Sequence, residues 1–298
     1  MIHSPAGNMD DKFISNLNLT SPADVRRALD NLGLQPSRAL GQNFLIDANI
    51  LGIILKAAEL SPGDRVLEIG SGLGTLTEAL AKAAQRVIAI EKDSRLSGFL
   101  HRRFQTMANV ELHIADAMRC DLGTFWAAGV NKLVANLPYS VGSAVLVNVF
   151  KGDVRPDMIV VTLQAEVANR LAAEPDTPDY GLLSIWSRLS YETEICRLIS
   201  STCFFPRPEV QSAIVAMKKR PQPAQGPADR KFFFALTKYA FGQRRKQMQK
   251  ILSDAPEGLG RPAPELQVIF AELGLDPRVR PGALAPEQWT QLADRLRQ

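Results

Sequence analysis

Short β-branched apolar runs alternate with amphipathic stretches from about residue 64 to residue 164. DRVLEIG (64–70), RVIAIEKD (86–93), VELHIADAM (110–118), NKLVANLPY (131–139) and DMIVVTLQ (157–164) read as buried strands. GTLTEALAKAA (74–84), SRLSGFLHRRF and SAVLVNVF, which lie between them, carry apolar residues at helical spacing. This alternation predicts a parallel sheet with helices on both faces.

The flanks differ. SPADVRRALDNLGL, from Ser21, has Ser at a helix N-cap position, Pro at the first turn and Asp close behind. SRALGQNFLID follows no period, and helical spacing returns from Ala48 to Leu60. Past the fifth strand, AEVANRLAAEP predicts a helix, TPDYGLLS a loop, and the stretches around LSYETEICRLI and SAIVAMKK two further strands. RPQPAQGPADR has linker composition, and every later periodic segment is helical. The expected organisation is a flexible tail (1–20), an α/β domain (21–219), a linker (220–228) and a small all-helical domain (229–298).

Composition narrows the class. Apolar residues make up 46% and charged residues 22%, a soluble globular balance. No apolar run approaches the ~18 residues of a membrane span, and the N-terminus lacks the basic and apolar regions of a signal peptide. Cys120, Cys196 and Cys203 show no paired or metal-type spacing, and His3, His101 and His113 are scattered. These features point to reduced thiols, a cytoplasmic location and no metal site. The net charge of +4 is unevenly spread: ten Lys or Arg face a single acid between Lys218 and Ile251. Such a tract suits a polyanionic partner, although a solvated helix face carries the same pattern.

Four positions carry the candidate chemistry, all at the carboxyl ends of predicted parallel strands, where open α/β sheets bind ligands. The first strand ends in EIGSGLG, with Gly70 and Gly72 in a turn that lets a ligand approach the main chain. Glu91 ends the second strand, where a nucleotide site needs a carboxylate for ribose hydroxyls. Asp116 ends the third and could accept a hydrogen bond from an adenine amino group. Asn136 ends the fourth, followed by Leu137, Pro138 and Tyr139. The glycine spacing is G-x-G-x-G, with Thr75 where the dinucleotide fingerprint has its last glycine.

With Glu68 ahead of them, these glycines form E-x-G-x-G-x-G, which resembles the first motif of the class I S-adenosylmethionine-dependent methyltransferases. NLPY (136–139) resembles the catalytic motif of methyltransferases that act on nucleobase amino groups. The adenine N6 is a poor nucleophile because its lone pair is delocalised into the ring. The Asn136 side-chain oxygen and the Leu137 carbonyl could accept its two N–H groups and aim the lone pair. Pro138 would fix the backbone, and Tyr139 would stack on an extruded base.

LGQNFLID, FFPRPEVQSAIV and AFGQRRKQM narrow the resemblance to the KsgA/RsmA family of ribosomal RNA adenine dimethyltransferases, from about Ser37 to the C-terminus. That resemblance implies a Rossmann-like class I methyltransferase domain with a mostly parallel seven-stranded sheet, a helical C-terminal domain, and S-adenosylmethionine as cofactor. It implies that Asn43 and Leu45 close over the cofactor beside Gly70, Gly72, Glu91, Asp116 and Asn136. Asn136, Leu137, Pro138 and Tyr139 would hold the adenine, and Phe204, or its neighbour Phe205, would stack on its other face. Arg244, Arg245 and Lys246 would contact RNA phosphates. The implied substrate is two adjacent adenosines in a 3′-terminal hairpin loop of small-subunit (16S) ribosomal RNA, each receiving two methyl groups. The implied partner is a small-subunit (pre-30S or 30S) particle, and the implied state a monomer.

Ser140, Val141, Gly142 and Ser143 depart from the N-I-S pattern usual after NLPY, Arg207 stands where a proline is common, and Glu209 replaces a frequent basic residue. All border the expected base pocket. The competing expectations are a resistance-type 23S ribosomal RNA adenine methyltransferase, a small-molecule methyltransferase, a catalytically silent assembly factor and a nicotinamide dehydrogenase.

Overall fold

The computed structural model describes residues 11–37, 39–221 and 226–298. Helices α1 (Asp11–Ser15) and α2 (Pro22–Asn31) precede a two-residue strand β1 (Phe44–Leu45) and helix α3 (Ala48–Ala57). The alternating region follows: β2 (Arg65–Ile69), α4 (Thr75–Ala81), β3 (Arg86–Glu91), α5 (Ser97–Phe104), β4 (Val110–Ile114), α6 (Leu122–Ala127), β5 (Lys132–Asn136), α7 (Gly142–Lys151) and β6 (Met158–Gln164). Then come α8 (Ala165–Ala172), α9 (Leu182–Arg188), β7 (Tyr191–Ile199), β8 (Phe204–Phe205) and β9 (Ser212–Lys219). The chain closes with α10 (Arg230–Phe241), α11 (Met248–Ser253), α12 (Ala263–Glu272) and α13 (Pro286–Arg297).

Seven strands form one sheet in the order β4-β3-β2-β5-β6-β9-β7, and β1 pairs with β8 in a separate ribbon. Strands β2 to β6 pair in parallel; β9 runs antiparallel to β6, with Ile159 opposite Met217. The mixed seven-stranded, mostly parallel sheet agrees with the class I methyltransferase expectation. The chain leaves β2 toward β3 on one side and returns at β5 on the other. The C-terminal ends of β2 and β5 therefore flank the switch point, where a ligand crevice opens.

Burial follows the pattern read from sequence. Val66, Leu67, Val87, Leu133, Val134, Ile159 and Val160 are fully buried, as strands covered on both faces require.

Two compact units emerge, Met1–Ala168 with Glu194–Lys218, and Asn169–Thr193 with Lys219–Gln298. Residues 169–193 thus fall in the helical unit, not in the α/β unit where the sequence boundary at 219 places them. Packing explains the difference. The Trp186 indole donates to Thr237 Oγ1 (3.1 Å), its ring meets Phe234 edge-on at 5.1 Å, and the buried Tyr180 hydroxyl donates to the Leu284 carbonyl (2.8 Å). TPDYGLLS is consequently not all loop, because α9 starts at Leu182. Of the linker at 220–228, residues 222–225 lie outside the described residues.

The N-terminal segment also differs from expectation. Residues 1–10 lie outside the described residues, but 11–19 are not a free tail: Ile14, Leu17 and Leu19 are buried. They join a cluster with Leu73, Phe99, Leu100, Phe104 and Phe44. Three apolar residues spaced two and three apart were too sparse to reveal this packing.

Candidate functional site

The loop after β2, Gly70–Gly74, turns through left-handed glycines; Gly70 sits at φ +84°. A Cβ there would lie 3.1 Å from the Pro138 ring, so this loop and NLPY are in direct contact. A single cavity is lined by residues 39–45, the Gly70–Leu73 turn, Ile90–Lys92, Ala115–Met118 and Asn136–Val141. Asn43, Leu45, Gly70, Gly72, Glu91, Asp116, Asn136, Leu137, Pro138 and Tyr139 all lie on it.

Glu91 is buried at the end of β3. Its Oε2 accepts from the Gly72 amide and its Oε1 from the Asp93 amide, each at 2.8 Å. Burial raises its pKa, although those amides oppose the shift. Asp116 is partly exposed: one oxygen caps the turn at Met118 (3.0 Å) and the other pairs with Lys92 Nζ (3.0 Å). The Lys92 bond holds its pKa below the usual carboxylate value. Glu68, 1% exposed on the same cavity, has one carboxylate oxygen without a hydrogen-bond partner. Burial pushes its pKa to about 8, and the Glu91 charge adds to the shift.

Asn136 ends β5, and its side-chain amide donates to the Asn43 carbonyl at 3.0 Å. That bond fixes which way the amide faces, and Oδ1 receives no hydrogen bond among the described residues. The Leu137 carbonyl likewise receives no hydrogen bond among the described residues. Two adjacent unengaged acceptors therefore line the cavity. The Tyr139 hydroxyl is bonded to the buried Ser212, and burial raises its pKa, keeping it a neutral phenol.

Phe204 and Phe205 are not on this cavity. Phe204 is 1% exposed, packed with Leu45, Ile50 and Ile54, while Phe205 is half-buried with Arg26 over its ring. In the β1–β8 ribbon Phe44 faces Phe205 and Leu45 faces Phe204. Arg244, Arg245 and Lys246 are exposed on the turn between α10 and α11 of the helical unit. Arg244 donates to the Thr177 carbonyl (2.9 Å) and Lys246 to Gln243 (2.8 Å).

Several supporting residues escaped sequence reasoning. Gly41, at φ +67°, would place a Cβ 2.9 Å from Ser140 Oγ, so it lets the 39–45 loop close on NLPYS. Gln42 donates to Asp93 (2.9 Å), which also takes a forked pair of bonds from Arg95 (2.7 and 2.6 Å). The available signal was the glycine and amide crowded into LGQNFLID, a composition that suits a loop held by side-chain hydrogen bonds.

A family model described as ribosomal RNA adenine dimethylase matches residues 34–297. The chain belongs to that family. Within it, a ribosomal RNA small subunit methyltransferase A from Lactiplantibacillus plantarum is 37% identical over 95% of this chain and 97% of the relative. A dimethyladenosine transferase from Plasmodium falciparum shares the fold (TM-score 0.73, 22% identity, 83% of this chain and 95% of that one). The 23S rRNA methyltransferase ErmE is similar at a TM-score of 0.64 and 26% identity, over 86% of this chain and all of that one. Family membership makes the chain a ribosomal RNA adenine methyltransferase, so a nicotinamide dehydrogenase and a small-molecule enzyme drop out.

Proposed function

We propose that this protein transfers methyl groups from S-adenosylmethionine to N6 of two adjacent adenosines in a 3′-terminal hairpin loop of 16S ribosomal RNA, giving N6,N6-dimethyladenosine during small-subunit assembly. The observation that carries the reading is the pair of unengaged acceptors, Asn136 Oδ1 and the Leu137 carbonyl, set on the cavity by the Asn136–Asn43 bond. Close identity to a small-subunit enzyme over nearly the whole chain favours this substrate over 23S RNA.

The cavity fits the cofactor. Its carboxylates match a ribose, an adenine and a cationic amino acid, and the unpaired Glu68 oxygen marks a polar group awaiting a partner. When bound, S-adenosylmethionine supplies a methyl group on a sulfonium, a leaving group that needs no acid. Glu91 would accept from the ribose hydroxyls, and Asp116 would accept from the adenine amino group. Asn43, Phe44 and Leu45 cover the site.

Asn136 Oδ1 and the Leu137 carbonyl would accept the two N6–H groups of adenosine in the first transfer and the one that remains in the second, drawing the nitrogen lone pair out of conjugation. Pro138 holds that carbonyl in place, and Tyr139 packs against the flipped base. Catalysis is positioning and dipole placement, with the nitrogen's proton lost to water after transfer. A base-stacking role for Phe204 would require the β1–β8 ribbon to shift. Arg244, Arg245 and Lys246 serve as phosphate contacts, and the protein acts as a cytoplasmic monomer on a small-subunit particle.

The test uses purified protein, methyl-labelled S-adenosylmethionine, and small subunits lacking these methylations, with large subunits as control. Labelled N6,N6-dimethyladenosine in small-subunit RNA alone, lost in Asn136→Ala, is the expected result. Label in large-subunit RNA alone would assign the resistance-type activity, and cofactor binding without label would indicate a silent assembly factor.

A further inference from the structure

The loop 206–211 is pinned at both ends to residues of the cavity. Phe205, just before it, faces the cavity-lining Phe44 across the ribbon, and Ser212, just after it, bonds the Tyr139 hydroxyl. The loop between is exposed at Arg207, Glu209, Val210 and Gln211, and Val210 is 46% exposed. It therefore lies between two segments that touch lining residues of the cavity, Phe44 and Tyr139.

Two cations, Arg207 on this loop and Arg26 against Phe205, stand without a carboxylate partner among the described residues. The Arg26 guanidinium lies 5.1 Å from the centre of the Phe205 ring, and its side chain is exposed on α2. Neither Arg26 nor Arg207 has an ion-pair partner among the described residues. Their neighbours differ: Arg27 pairs with Asp24 (2.9 Å), Arg95 with Asp93 (2.6 Å), Lys92 with Asp116 (3.0 Å) and Arg103 with Glu78 (2.6 Å). Stacking on Phe205 holds the Arg26 plane without neutralising it, which leaves its donors free for an anion.

We propose that Arg26 and Arg207 grip RNA backbone phosphates beside the extruded adenosine, with Phe205 as the platform that orients Arg26. This second phosphate contact lies within the α/β unit and rests on the functional reading above. A base delivered to the cavity brings its own backbone with it, and unpaired guanidiniums hold backbone phosphates without reading sequence. The departure at 207, arginine where a proline is common, then adds a phosphate contact.

The test measures binding of an RNA hairpin, with two adjacent adenosines in its loop, across a series of salt concentrations, alongside methylation of small subunits. Arg26→Gln and Arg207→Gln should each lower the slope of log affinity against log salt by about 0.7–0.9. Each should raise KM for RNA several-fold, with kcat and cofactor affinity unchanged. Arg26→Lys and Phe205→Leu should fall between Arg26→Gln and the unchanged protein, because charge without its platform is poorly aimed. Arg27→Gln, whose charge Asp24 already meets, should leave the slope alone. A double Arg26→Gln, Arg207→Gln variant with unaltered slope and KM would overturn the proposal. If the unsubstituted protein methylates no RNA, the functional reading fails, and the salt slopes alone still decide the role of the two arginines.

Discussion

The Asn136 side-chain amide and the Asn43 backbone carbonyl, 93 residues apart, meet at 3.0 Å. One bond thus joins the 39–45 loop to the NLPY turn, two segments of the same cavity wall, so the position of the first sets the orientation of the Asn136 amide. Removing the amide should disable the reaction without emptying the cofactor site. Asn136→Ala should lower kcat by about 10²–10³, the usual cost of deleting one positioned transition-state partner. Asn136→Asp restores an oxygen but not the donor to Asn43, and should recover little. Single-turnover methylation and calorimetric cofactor binding separate the two effects.

Gly41 allows that closure. Alanine there must adopt φ +67° and bring a Cβ within 3.1 Å of the Tyr139 amide and 2.9 Å of Ser140 Oγ. The backbone conformation alone costs about 1–2 kcal/mol, and the clash adds to it. Gly41→Ala should weaken cofactor binding about tenfold while the melting temperature moves little, because the loop can open without unfolding the sheet. Titration calorimetry paired with thermal denaturation reads both.

The fold was legible because strands buried on both faces leave long apolar runs, and the helices between them keep a clear period. The carboxyl-end residues Glu91, Asp116 and Asn136 were legible because a parallel sheet gathers successive strand ends onto one edge. What escaped was packing carried by few residues or by distant partners. α9 hid inside TPDYGLLS because its apolar residues meet α10, which lies about fifty residues downstream in sequence. The burial of Phe204 and half-burial of Phe205 are set by ribbon register, since adjacent strand residues face opposite ways, and composition cannot assign the faces. Ser212 and Asp93 escaped for the same reason: each acts through a partner far along the chain.

Glu68 makes stability depend on pH in a defined sense. Its folded pKa of about 8 lies above the ordinary value of 4.5, because burial and the nearby Glu91 disfavour its charge. Between those values the unfolded chain has released a proton that the folded chain keeps, so stability falls as pH rises through the window and levels off above it. Glu91 shifts in the same direction. Glu68→Gln, which keeps the shape but cannot ionise, should flatten the decline and raise the melting temperature at pH 8 more than at pH 5. Equal melting shifts at both pH values would show that Glu68 does not titrate in this range.

Arg103 ties the N-terminal segment to α4. Its buried guanidinium donates to the Ile14 and Leu17 carbonyls and pairs with Glu78 at 2.6 Å. The segment it holds shares an apolar cluster with Phe44 of the 39–45 loop and Leu73 of the glycine turn. Arg103→Met keeps much of the volume but leaves the Leu17 carbonyl without its donor and Glu78 with Lys82 alone (2.9 Å), a loss of about 1–3 kcal/mol. Amides around 14–19 should then exchange faster than those of β2 and β3, and cofactor affinity should fall as the cluster under both loops loosens. Hydrogen exchange resolved by residue, set beside urea denaturation, distinguishes this local release from a uniform loss of stability.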